Sequence, residues 1–279
     1  MEPGATHIKV PVAAVVVAAW RAVFGRLGMV LELGWLALLL MLAALLLPVL
    51  ALRYLAPADF AAANGPGLVA GEAILDAAVA LFALNAFAVR WHRLMLTGSG
   101  RTMPPRLFAG AWLRFILYSL AFYAAGIGFA AAVWYSGIAA PDATGTLAAS
   151  ANAAAAAAAA ALLLAMARAA LLFPAAALGM PLALGAAWRA MRGNTWRLLL
   201  ASVAAALPIV LATGVFLSQL LAAAHLDAAD ALSGDPPLGF VLLSGVMEVV
   251  LRVILMALGA SILSDFYRRI LWQRKESAS

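Results

Sequence analysis

The chain has 279 residues, of which 67% are apolar and only 11% charged, and its mean hydropathy is +1.03. Soluble domains carry about 25% charged residues, so a water-soluble globular protein is excluded, and the absence of cysteine removes disulfides, thiolate chemistry and cysteine metal sites. The net charge of +6 lies beside apolar runs of membrane length, which makes it a topology signal rather than a phosphate-binding face, and nucleic acid is not expected as a partner.

A helix needs about 20 apolar residues to cross the bilayer core. Six segments qualify. The chain is therefore expected to be all-α, a polytopic membrane protein whose six transmembrane helices form three hairpins with cytoplasmic interfacial amphipathic helices. All of 1–279 belongs to this one integral domain. Residues 1–30 open it with an apolar run that ends in Trp20 and Arg21. No basic stretch precedes that run, so a cleaved signal peptide is not expected; an interfacial helix over 10–28 is. The first span is placed at 33–52 and contains Pro48.

The second span, 68–89, carries Glu72 and Asp76 on one face near its outer end, with Asn85 roughly opposite. The two acids are open to three readings: solvated interface residues, partners of a buried cation, or the mouth of a cation path. "VRWHR" at 89–93 follows, with Trp91 and Arg93 as candidate lipid-headgroup contacts and His92 as an interfacial aromatic partner. The third span, 113–134, is entered by "AWLR". The fourth, 153–173, includes a low-complexity alanine run whose small side chains suit close helix packing.

Residues 168–197 hold four arginines, two prolines and two tryptophans. Pro174 is expected to end the fourth span, because it lacks an N–H and disfavours helix before it. A second interfacial helix is expected over 181–196. Trp188, Arg189, Arg192, Trp196 and Arg197 are the candidate contacts for anionic headgroups there, joined at the N-terminus by Trp20 and Arg21. Arg168 either snorkels to the interface or pairs with a carboxylate of another span.

The fifth span, 198–221, contains Pro208. The sixth, 240–264, sets Ser244, Glu248, Arg252 and Gly259 on one face. Glu248 and Arg252 form an i, i+4 pair about 6 Å apart along the axis. An intramembrane charge costs about 2.5–3.5 kcal/mol on insertion scales, so the pair reads either as a self-neutralising ion pair or as a group that handles substrate or protons. Residues 265–279 form a basic tail.

Sixteen of the 18 basic residues fall in the N-terminal segment, the second–third and fourth–fifth connections with their flanks, and the tail. The opposite connections hold Arg53 and five aspartates, Asp59, Asp142, Asp227, Asp230 and Asp235. By the positive-inside rule both termini face the cytoplasm. The excess of arginine over lysine and the abundance of alanine fit a GC-rich bacterium, hence an inner membrane. "AAWRA" occurs at 18–22 and 186–190, each time before a proline-containing span, which suggests a parallel repeat of the first and third hairpins.

No G-x-S-x-G, Walker loop or H-E-x-x-H is present, and the three histidines are scattered. No enzyme, cofactor or metal site is expected. The run Arg168, Pro174, Trp188, Gly193 and Trp196, after "AAWRAVFGR" and "RWHRL", resembles a group of bacterial six-span membrane proteins. That group includes the YciC-like proteins and the membrane domain fused to some glycerophosphodiester phosphodiesterases. The resemblance implies an envelope protein with no catalytic residues to carry over. Two function classes follow: a non-enzymatic membrane module that associates with lipid, a partner membrane protein or a second copy, and a small-molecule or lipid transporter using Glu248, Arg252, Glu72 and Asp76. Charges lining a polar cavity would mark the transporter; charges paired and packed would mark the module.

Overall fold

The computed structural model describes residues 9–55, 66–99, 110–138, 146–226 and 237–272. Among them nine α-helices follow in order: α1 Val12–Phe24, α2 Leu27–Leu55, α3 Pro66–Thr97, α4 Gly110–Ile138, α5 Thr146–Ala169, α6 Leu172–Ala177, α7 Leu184–Ala190, α8 Thr195–Ala223 and α9 Leu238–Tyr267. A π-helical turn, Arg268–Trp272, continues α9. Six of these helices are long and apolar enough to cross a membrane. Each of the six expected spans overlaps one of them, and the chain is a multi-pass α-helical protein of membrane type. The solvent-facing sides of the long helices carry large apolar side chains such as Leu31 (58% exposed), Ile74 (69%), Ile127 (68%) and Val215 (62%), surface that suits lipid rather than water.

The described residues fall into two compact units. The first unit comprises 1–12, 106–200 and 263–279. In it α4 packs against α5 and α6, and α5 packs against α7. Phe115, Tyr118 and Phe122 recur at helical spacing along α4 and meet Phe173 of α6 edge-on, at ring-centroid distances of 5.0, 6.4 and 4.8 Å. Edge-to-face rings contribute roughly 0.5–1.5 kcal/mol per pair beyond their burial. Val10, just before α1, is held by both of its backbone groups. Its N–H donates to Asn194 Oδ1 at 3.0 Å, and its carbonyl accepts from Arg197 Nη1 at 2.9 Å.

Pro174 does not end the fourth span, as the sequence suggested. α5 stops at Ala169, five residues earlier, and Pro174 sits buried in the first turn of α6. A first-turn residue has no intrahelical partner for its N–H, so proline costs little there. α6 closes on Gly179, whose φ of +73° lets the Gly179 N–H reach the Ala176 carbonyl and the Met180 N–H reach the Ala175 carbonyl. That is the left-handed helix stop in which glycine escapes a Cβ clash.

The second unit comprises 13–105 and 201–262. α2 packs against α3, as α4 packs against α5 in the first unit. The part of α9 in this unit meets α2 and α3 through side chains, Gly34 of α2 facing Val253 and Arg252 bonded to Asp76 of α3. A Cβ on Gly245 would stand 2.9 Å from a methyl of Leu45, so glycine permits the close approach of α9 to α2. Of the expected interfacial stretches, α1 covers 12–24 and α7 covers 184–190, while 27–28 and 195–196 already belong to the long helices α2 and α8. α1 buries Val15, Ala19, Ala22 and Val23 along one stripe, but its exposed side is also apolar apart from Arg21, so it is not a polar-faced amphipathic helix.

Candidate functional site

The polar centre of the second unit is built from α3 and α9. Asp76 projects from the first third of α3 and Arg252 from the middle of α9. Arg252 Nη1 donates to both Asp76 oxygens, at 2.9 Å to Oδ1 and 2.7 Å to Oδ2. Its other terminal nitrogen, Nη2, donates to Glu248 Oε1 one turn earlier on α9. One guanidinium thus holds two carboxylates, the first across helices and the second within its own. Side-chain exposure is 20% for Asp76, 30% for Arg252 and 46% for Glu248, so the cross-helix partner is the more enclosed acid.

A second contact fixes the register of the same two helices. Trp91 Nε1 donates to Ser261 Oγ at 2.8 Å, and that hydroxyl donates on to the Ala257 carbonyl at 2.7 Å. Because residue numbers rise together in both contacts, α3 and α9 run parallel. Fifteen residues separate Asp76 from Trp91 but only nine separate Arg252 from Ser261. With a rise of about 1.5 Å per residue, the Arg252 backbone lies some 9 Å short of level with Asp76. Helical side chains lean towards their own N-terminus, and Arg252 closes the gap in that direction. Its guanidinium has climbed its helix to meet a carboxylate, which is snorkelling that ends on a protein group rather than in water.

Of the other sequence candidates, Glu72 has a side chain outside the described residues. Trp91 departs from the expected headgroup contact: its side chain is 0% exposed and stacks on Phe87 at 5.7 Å. Leu84, Phe87, Ala88 and Trp91 are all buried at helical spacing, a pattern that places the indole on the packed face of α3. His92 is likewise buried, and Arg93 is partly so. Trp20 is partly buried and stacks on Phe24 at 4.6 Å, while Arg21 is exposed. In the first unit Arg189, Arg192 and Trp196 are exposed, Trp196 by 68%, whereas Arg197 is engaged by the Val10 carbonyl.

Arg168, in the last turn of α5, takes neither of its two expected roles in full. Its guanidinium carbon lies 4.9 Å from the centroid of the Trp188 ring, within cation–π range. Its Nε is buried and has no hydrogen-bond partner among the described residues. Sequence reading did not anticipate Asn194 and Ser261 as buried bond acceptors; Ser261 is a small polar side chain on an otherwise apolar segment, which was the available signal, whereas Asn194 sits in the polar turn before α8 and gave none.

No family model, curated protein or solved structure matches the chain.

Proposed function

We infer that the chain is a non-enzymatic, lipid-associated module of a bacterial inner membrane, with both termini cytoplasmic, related in kind to the YciC-like six-span group it resembles. The observation that carries this reading is Arg252 bound simultaneously to Asp76 and Glu248. Charges placed inside a membrane for transport must be free to exchange partners with a substrate or a proton. Here the arginine is consumed by two protein carboxylates and ties one long helix to another. The module's partners are the bilayer, anionic lipid headgroups, and a partner membrane protein or second copy.

A transporter of small molecules or lipid remains the second reading. It is favoured by the half-exposed Glu248 and by the one carboxylate in excess of the guanidinium. The two readings separate in one experiment. The triple variant Asp76→Asn, Glu248→Gln, Arg252→Met removes all three charges together. For a structural tie, this variant should fold and should complement a deletion of the gene in its source organism. A well-folded variant that fails to complement would overturn the module reading.

A further inference from the structure

We propose that Arg168, seated on Trp188, anchors a binding site for the phosphate group of an anionic phospholipid. This deepens the lipid-associated reading above and rests on it.

The first unit contains a single acidic residue among its described positions, Asp265, against eight basic ones. That acid is already engaged by Arg269, at 3.0 Å. Among the described residues Arg168 is thus a cation without a carboxylate, at the end of a long apolar helix. Its Nε is closed off without an acceptor among the described residues, while the side chain as a whole is only half-buried, so an anion would be met by the terminal nitrogens. The indole supplies a seat but no acceptor. Guanidinium donors all lie in one plane, so a ring set over the group leaves the edge of the plane open. The planar pair of terminal nitrogens matches the oxygens of a phosphate in bidentate fashion.

The surroundings choose the source of the phosphate. Leu184 lies one helical turn before Trp188 and is 56% exposed. Leu163, five residues before Arg168, is 52% exposed, and Leu200 is 58% exposed. Large apolar side chains on the outer surface of the same unit suit acyl chains, so the ligand joins an anionic head to a hydrocarbon body. Arg189 and Arg192 are exposed close by in sequence and add long-range attraction to an anionic leaflet.

The test uses the full chain reconstituted in nanodiscs of phosphatidylcholine with a minor fraction of phosphatidylglycerol, and native mass spectrometry of the lipids retained. The wild type is expected to retain phosphatidylglycerol over phosphatidylcholine about tenfold more than the nanodisc ratio, and Arg168→Gln to lose that enrichment. Arg168→Lys should lose most of it, because a point charge lacks the fork. Arg114→Gln, at an arginine whose Nε donates to the Gly110 carbonyl, should keep it. If Arg168→Gln proves misfolded by circular dichroism, Trp188→Leu is read instead; it keeps the charge, removes the seat, and should lower enrichment severalfold. Unchanged enrichment in the folded Arg168→Gln or Trp188→Leu variant would overturn the proposal. So would displacement of phosphatidylglycerol by millimolar inorganic phosphate, which would assign the site to free phosphate. Failure here leaves complementation by the triple variant untouched, whereas a folded, non-complementing triple variant removes the module reading whatever Arg168 retains.

Discussion

Replacing Arg252 by methionine keeps the length and apolar stem of the side chain while deleting the one cation between two acids. Asp76, 20% exposed, and Glu248, 46% exposed, are then left facing each other with like charge. Breaking a fully buried ion pair by removing one partner costs about 3–5 kcal/mol, and this part-buried group is expected to lose about 2–3 kcal/mol. Asp76→Asn is milder. It removes the charge but keeps an acceptor for Arg252 Nη1, and Glu248 still balances the guanidinium, so about 1–2 kcal/mol is expected, the scale of one charge-assisted bond. Glu248→Gln is milder still, about 0.5 kcal/mol or less, because the acid is half-exposed and an i, i+4 pair contributes little. The order of harm is therefore Arg252→Met, then Asp76→Asn, then Glu248→Gln. Adding Asp76→Asn and Glu248→Gln to Arg252→Met should restore part of the loss, since coupled residues are not additive. Unfolding in mixed micelles on titration with dodecyl sulfate, followed by circular dichroism, gives the three values. The reasoning fails if Arg252→Met is no worse than Asp76→Asn, or if Glu248→Gln is the most damaging single change.

In the same assay Ser261→Ala should cost about 1–3 kcal/mol, because it orphans the buried Trp91 Nε1–H; equal stability to wild type would mean that the indole finds another acceptor. Trp91→Phe should cost less than Trp91→Ala, for which a large core truncation of about 3–5 kcal/mol is expected. Gly179→Ala places a Cβ on a φ of +73° and should cost about 1–2 kcal/mol, whereas Gly239→Ala, in open helical space, should be neutral or stabilising. Reporter fusions at Gly100 and Ser279 should be active only with reporters that work in the cytoplasm; a periplasmic signal at either would refute the orientation read from the basic residues.

The six long helices were legible because length and hydropathy are local properties, and each expected span overlaps one helix. Their ends were less so. α3 runs on to Thr97, beyond the expected limit at Val89, since Arg90 and Arg93 stop an apolar run without stopping a helix. The Glu248–Arg252 half of the charge site was equally local, fixed by a four-residue spacing. The Asp76 half spans 176 positions in the chain, and no periodicity reports it. Asp76 was grouped with Glu72 on its own helix, and the buried-cation reading named a partner without identity. Trp91 differs from expectation for a related reason: two flanking arginines imitate an interfacial belt, while its spacing from Leu84 and Phe87 points inward.

Two arginines now illustrate how an apolar chain disposes of a guanidinium. Arg252 lies deep in a long helix and is answered from within the protein, by one acid a turn away and another on a neighbouring helix. Every terminal nitrogen has an acceptor, and the result is a tie between helices. Arg168 lies at the end of a long helix, in a unit whose one described acid is already engaged, and it is answered only by an aromatic face. An indole lowers the cost of the charge but accepts no hydrogen bond in the guanidinium plane. Had the protein needed Arg168 only for packing, an apolar side chain of like volume would have avoided the desolvation. Retaining the charge where no carboxylate meets it leaves a donor edge for something that arrives from outside, and at the rim of an apolar helix bundle the anion in greatest supply is the lipid phosphate.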